Sequence, residues 1–111
     1  MRFEIWLANL NPQRGTEIGK VRPVLIVQTD LFEGLLDSTL ICPMTTQLSH
    51  SELTKIKIEP SKISGLKIFS WVVMDQVRAV DNKRLIEKIG SLPDTHYERV
   101  NRSLKIMMDL D

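Results

Sequence analysis

Between residues 4 and 80 the chain is a series of runs of five to seven residues, carrying β-branched and other apolar side chains, each ended by proline, glycine, asparagine or a charge. Runs this short suit strands, and breaks this frequent leave no room for a long helix. Residues 4–10, 23–28, 39–44, 54–59 and 68–74 read as five strands, and residues 76–80 either continue the fifth or form a sixth. Residues 4–10 alternate loosely, with Ile5 and Leu7 against Trp6 and Ala8. Residues 54–59 alternate cleanly, Lys55, Lys57 and Glu59 against Ile56 and Ile58, as a half-exposed strand does. Residues 23–28 are apolar enough to be buried on both faces. Asp30 is placed to cap a short helical turn over residues 31–36. Short strands and tight loops predict a small barrel or sandwich rather than βαβ crossovers.

The period changes at the end. Tyr97, Val100, Leu104 and Met107 recur at helical spacing after the start signal Pro93-Asp94-Thr95, which predicts a helix over residues 94–110 packed on the sheet. The expected fold is mainly β (α+β), a small barrel with short helical turns and a C-terminal α-helix. At 111 residues, with no repeat and no linker, residues 1–111 read as a single domain. The 15 basic and 14 acidic side chains leave a net charge of +1, which excludes a polybasic nucleic-acid tail and an acidic solvating protein. One cysteine, Cys42, cannot form an internal disulfide, and with only His50 and His96 beside it a zinc-finger arrangement is not expected. The residues suggest neither metal nor cofactor. Apolar runs such as Val24-Leu25-Ile26-Val27 are too short to span a bilayer, and Glu4 stands where a signal peptide needs apolar residues. A reducing cytoplasm is the expected compartment.

Three clusters carry possible chemistry. The loop from Arg14 to Pro23 holds Arg14, Lys20 and Arg22 against Glu17, with Gly15 and Gly19 to let backbone N–H groups approach a ligand. Pro23 pushes Arg22 into an extended conformation, so its guanidinium leaves the loop oriented, a fork suited to phosphate. The second cluster, Thr45-Thr46-Gln47, ends an apolar strand in three hydrogen-bonding side chains. The third, Asp75-Gln76-Val77-Arg78, follows Trp71-Val72-Val73-Met74, and alternation would put Gln76 and Arg78 opposite Asp75. Taken singly, each also reads as an ordinary hairpin loop, a β-forming strand end and an edge strand.

In order and spacing together they match one family. Glu4-Ile5-Trp6-Leu7 with Leu10-Asn11-Pro12, Gly15-Thr16-Glu17 leading to Arg22-Pro23-Val24-Leu25, Pro43 with Thr45-Thr46-Gln47, and Asp75-Gln76-Val77-Arg78 followed by Arg84-Leu85 resemble the MazF/PemK toxin endoribonucleases over nearly the whole chain. The resemblance implies an SH3-like β-barrel that forms a homodimer and cleaves single-stranded RNA without a metal. It implies an antitoxin that covers the RNA groove, operator DNA bound only through the antitoxin complex, and a bacterial cytoplasmic toxin. Arg22 matches the family's catalytic arginine and Thr45 its catalytic threonine. Asp75 matches an acidic position that some members use catalytically, and Glu17, Gln47 and Gln76 resemble groove contacts. Arg14, Thr16, Lys20 and Arg78 complete the expected substrate-binding set. Two departures stand out: Lys20 replaces a glycine common in the family, and Thr16 and Val73 replace the catalytic histidine and arginine of PemK-like members.

Metal-free RNA cleavage needs a deprotonated 2′-OH, a stabilised five-coordinate phosphate and a protonated leaving oxygen. Arginine, charged at any ordinary pH, suits charge stabilisation, with proton donation to the 5′-oxygen. Thr45 would hydrogen-bond a non-bridging oxygen. For the base, Glu17 and Asp75 are both candidates, and the expected products carry a 2′,3′-cyclic phosphate and a 5′-OH. His50 and His96 read as surface histidines, Cys42 as packed and the five methionines as packing; Trp6 and Trp71 could stack bases but are placed in the core or dimer interface in preference. A CcdB-type gyrase poison ranks lower, because the ending Met107-Met108-Asp109-Leu110-Asp111 lacks the C-terminal tryptophan that activity needs. A non-catalytic barrel that binds RNA or protein is the remaining alternative.

Overall fold

In the computed structural model, which describes residues 1–47 and 54–111, the described residues form seven strands. They are β1 (Glu4–Asn9), β2 (Val21–Ile26), β3 (Ser38–Thr45), β4 (Lys55–Ile58), β5 (Ser70–Val73), β6 (Arg78–Asp81) and β7 (Leu85–Ser91). All pairings are antiparallel, in the order β4-β5-β3-β2-β1-β7 with β6 beside β3. The eight-residue β3 gives the sheet its curvature. Ser38–Ile41 pair with β6, Met44 and Thr45 pair with β5, and β2 runs along the other edge. A strand that passes from one sheet to another turns a corner and wraps the sheet around its core.

The near-continuous apolar β2 sits between two clusters. Leu25 and Val27 join Ile5, Cys42, Met44, Ile58 and Val72 on one side, and Val24 and Ile26 join Ala8, Leu10 and Ile41 on the other. Burial on both faces, as predicted, contributes about 2 kcal/mol per aliphatic side chain. The loose alternation of β1 has a cause in its pairing with β7, which shifts register between Ile5 and Trp6 and between Leu7 and Ala8. Ile5 and Ala8 are both fully buried, Ile5 in the first cluster and Ala8, with Trp6 beside it, in the second, which are the opposed faces expected.

Strand β7 itself is absent from the sequence reading: its Ile86, Glu87 and Lys88 are all exposed, so no period of two marks it. It is held by a close backbone approach, where a Cβ on Gly90 would lie 2.1 Å from the Ser64 carbonyl oxygen and one on Gly65 1.7 Å from that of Ile89. Only glycine fits there.

Other expectations need correction. The turn after β2 is a single 3-10 turn, Asp30–Phe32, and its cap is Thr29, whose hydroxyl accepts from the Leu31 N–H. Asp30 instead binds the Met1 ammonium at 2.9 Å and the Arg2 N–H at 2.8 Å. Met74–Gln76 form another 3-10 turn, so the fifth run does not continue straight into β6. Trp6 is half-buried and packs against the second cluster, Trp71 is half-buried, and Met107 and Met108, at the C-terminal end, are exposed rather than packed. His96 is half-buried, and His50 lies outside the described residues.

The C-terminal helix α1 (Tyr97–Met107) follows a 3-10 turn at Asp94–His96. Val100 is fully buried against the sheet, Leu104 packs beside it, and the Tyr97 ring stacks on Phe3 at 4.4 Å. The helix stops earlier than the period suggests because Asp109 takes φ 55°. The N–H groups of Asp109 and Leu110 then close on the carbonyls of Ile106 and Lys105 at 3.2 and 2.7 Å, a Schellman ending.

Candidate active site

Between β1 and β2 the loop of residues 10–20 folds back over the end of the sheet. The Leu10 N–H donates to the Lys20 carbonyl at 2.8 Å, and the Lys20 N–H to the Asn11 side-chain oxygen at 2.8 Å. Lys20 has φ 68°, a left-handed conformation that suits glycine best. A Cβ on Gly19 would fall 2.6 Å from that of Gln13, which holds this position to glycine. Gln76 fastens the loop from below. Its amide nitrogen donates to the Thr16 carbonyl at 3.0 Å, and its oxygen accepts from the Ile18 N–H at 2.9 Å.

This brings Arg22 and Thr45 together. The β2–β3 ladder pairs Val24 with Pro43, Leu25 with Cys42 and Ile26 with Ile41. Arg22 and Thr45 each lie two residues beyond the Val24–Pro43 pair, where extending the register would bring them to one face, and both line the same two cavities. The Arg22 Nε donates to the Gly19 carbonyl at 2.8 Å, which orients the guanidinium and leaves its terminal nitrogens as donors. The Thr45 hydroxyl oxygen accepts from the Gln47 N–H at 3.2 Å, so its own hydrogen is left to donate.

Both residues line two adjoining cavities. The larger, about 400 Å³, is lined by Arg22, Thr45, Asp75, Gln76, Thr16 and Gln47, with Ile18, Thr54, Lys55 and Val73 completing it. The smaller, about 290 Å³, is lined by Arg22 and Thr45 with Lys20, Thr46 and Ser70 among others. A third cavity of about 370 Å³, mostly apolar, lies by Met1, Trp6 and Phe32 and includes none of the candidate residues.

Of the ten residues singled out from the sequence, six thus share the larger cavity and Lys20 joins the smaller. Glu17, Arg14 and Arg78 line neither. The Glu17 carboxylate is paired with Arg78 at 3.5 Å. Asp75 and Gln76 reach the same cavity, against the expected alternation, because both sit on the 3-10 turn. Thr54 and Lys55 were missed; the solvent-side position of Lys55 in its alternating strand was the one available signal. Cys42 is fully buried, and burial together with the charge of Asp75 pushes its thiol up to about 12, so it takes no part as a nucleophile. Among the described residues no three His, Cys, Asp or Glu side chains gather as a metal site would.

The chain is similar to known proteins over nearly its whole length. Residues 1–108 match the model of the PemK-like, MazF-like toxins of type II toxin–antitoxin systems. The chain is 32% identical to endoribonuclease EndoA of Bacillus subtilis over 110 residues, 98% of this chain and 94% of that one. Its fold is similar to that of the Mycobacterium tuberculosis toxin MazF-mt6, with a TM-score of 0.80 at 24% identity over 97% of this chain and 98% of the other. It is also similar to a mycobacterial endoribonuclease solved with its cognate antitoxin, with a TM-score of 0.79 at 17% identity over 100% and 96%. The match to the family model spans nearly all of the sheet and helix described above, and the chain belongs to the PemK-like, MazF-like toxin family of type II toxin–antitoxin systems.

Proposed function

We propose that the protein is the toxin of a type II toxin–antitoxin pair and cleaves single-stranded RNA at the Arg22–Thr45 cavity, without a metal, as a cytoplasmic homodimer restrained by an antitoxin. The observation that carries the reading is that Arg22 and Thr45 are the residues common to two adjoining cavities, with the Asp75 carboxylate on the larger. A phosphate held between them would leave room for nucleotides on either side.

In this mechanism the Asp75 carboxylate removes the 2′-OH proton. The 2′-oxygen bonds to phosphorus as the bond to the 5′-oxygen breaks. Arg22 stabilises the charge on the five-coordinate phosphate and donates a proton to the leaving oxygen, and the proton taken up by Asp75 then returns to Arg22 through solvent water, restoring both groups. Thr45 donates to a non-bridging oxygen. The products are a 2′,3′-cyclic phosphate and a 5′-OH. Asp75 is preferred to Glu17 as base because Glu17 is occupied by Arg78 and lies off the cavity. Lys20 and Gln47 contact the RNA, and an acidic antitoxin segment would compete for the same cations.

The test is cleavage of a defined single-stranded RNA in EDTA, with both new ends mapped. Fragments ending in a cyclic phosphate and a 5′-OH are expected. Loss of cleavage in EDTA, or 5′-phosphate ends, would contradict the mechanism.

A further inference from the structure

A row of paired residues starts at Thr45. Thr45 is paired with Trp71 on β5, and Trp71 with Lys57 on β4. Directly paired residues project to the same side, with Cβ atoms about 5 Å apart. One row therefore crosses three strands as hydroxyl, indole and ammonium, and the Arg22 guanidinium lines the same cavities as the Thr45 end of it. The neighbouring row, Met44, Val72 and Ile56, turns inward and is core, which fixes the first row as outward.

Trp71 is half-buried, and Phe69, two residues before it, is 46% exposed. The exposed Lys57 holds its ammonium 4.5 Å from the Phe69 ring centroid and 5.8 Å from that of Trp71. Two aromatic side chains that full burial would stabilise are instead left partly exposed beside a cation. Single-stranded nucleic acid is held by this combination, aromatic faces for bases and cations for phosphates. Protein-docking surfaces, by contrast, are depleted of lysine at their centre.

We propose that Trp71, Phe69 and Lys57 form a stacking subsite for the nucleotides next to the phosphate held by Arg22 and Thr45. The inference rests on the proposed function, since the row starts at the cleavage pair. In the free protein the Lys57 ammonium covers the rings. An incoming base takes its place on the indole, and the ammonium swings to the adjoining phosphate.

The probe is a fluorescein-labelled, mixed-sequence 20-nucleotide single strand with 2′-fluoro sugars, which offers no 2′-OH nucleophile; the matching RNA is the cleavage control. Trp71→Ala should weaken binding about 5- to 100-fold, whereas Trp71→Phe keeps a stacking face and stays within a few-fold of wild type. The tryptophan quenching that the oligonucleotide causes should vanish in Trp71→Phe, with Trp6 left as the unquenched reporter. Lys57→Ala should flatten the dependence of log affinity on log salt by about 0.7, the share of one phosphate on a single strand. Phe69→Ala and Lys57→Ala alter exposed positions and decide the matter if Trp71→Ala fails to fold.

Affinity within twofold of wild type in these variants overturns the proposal. So does weaker binding with the quench and the salt slope unchanged, which is the signature of a structural role. Intact RNA binding with loss of self-association or of antitoxin binding would also overturn it, and would assign the face to a protein. Wild-type cleavage with normal variants refutes the subsite alone; a wild type that neither binds nor cleaves RNA refutes the proposed function with it.

Discussion

The side-chain amide of Gln76 donates to the Thr16 carbonyl and accepts from the Ile18 N–H, so one residue of a 3-10 turn fixes two points of the loop that carries Gly19. Gly19 in turn accepts from Arg22 Nε. Gln76 is therefore placed to position this loop, in addition to the RNA contact proposed for it. Gln76→Glu tests this, because a carboxylate still accepts from Ile18 but repels the Thr16 carbonyl. Each lost hydrogen bond is worth about 1 kcal/mol, so amide exchange at Ile18 in the free protein should quicken roughly 5-fold. Cleavage relative to wild type should recover as pH falls toward the carboxyl's own range near 4, where protonation restores a donor. Unchanged exchange at Ile18 would return Gln76 to a role in RNA contact alone.

The first strand is tied to the turn after β2 by charge. The Met1 ammonium lies 2.9 Å from Asp30, 3.8 Å from Glu33 and 3.9 Å from Glu4. The Arg2 backbone N–H, then the ammonium, hold the Asp30 carboxyl below its ordinary 3.8, and the Trp6 indole N–H holds Glu4 below 4.5. Their contribution is complete above those values and is lost as pH falls through the lowered ones. The ammonium, raised above 8.0 chiefly by Asp30, contributes fully below 8.0 and loses its contribution as pH rises through its raised value. Stability should therefore plateau between about pH 5 and 8 and fall on both sides. Asp30→Asn should flatten both flanks in a series of Tm values from pH 3 to 10; an unchanged profile would contradict the assignment.

At the same scale lies the limit of what the chain reveals unfolded. The β2 run, the clean alternation of β4 and the helical stripe at Val100 and Leu104 were legible because burial imposes their period. Strand β7 was not, because bulges against β1 and exposed charges erase the alternation. The Glu17–Arg78 pair and the placing of Asp75 beside Thr45 depend on the folding together of distant segments, which no local pattern encodes.

For the whole molecule, the exposed apolar side chains that follow β2 bear on the proposed homodimer. Leu31 and Leu35 are 81% and 74% exposed, with Phe32 and Leu36 nearly half exposed beside them. Four large apolar side chains within six residues are more than a lone soluble domain ordinarily leaves in water. A homodimer is the expected state, checked by light scattering at micromolar concentration; Leu31→Asp with Leu35→Asp should shift it to monomer, and a wild type that is already monomeric would contradict the assembly. The claim that Arg22 stabilises the transition state is tested most directly by single-turnover cleavage of a short RNA, beside affinity for its 2′-deoxy analogue. Arg22→Ala should slow cleavage roughly 10²- to 10³-fold while affinity falls far less, and Arg22→Lys should restore binding but little of the rate. Equal losses in rate and affinity, or full activity in Arg22→Ala, would contradict the account.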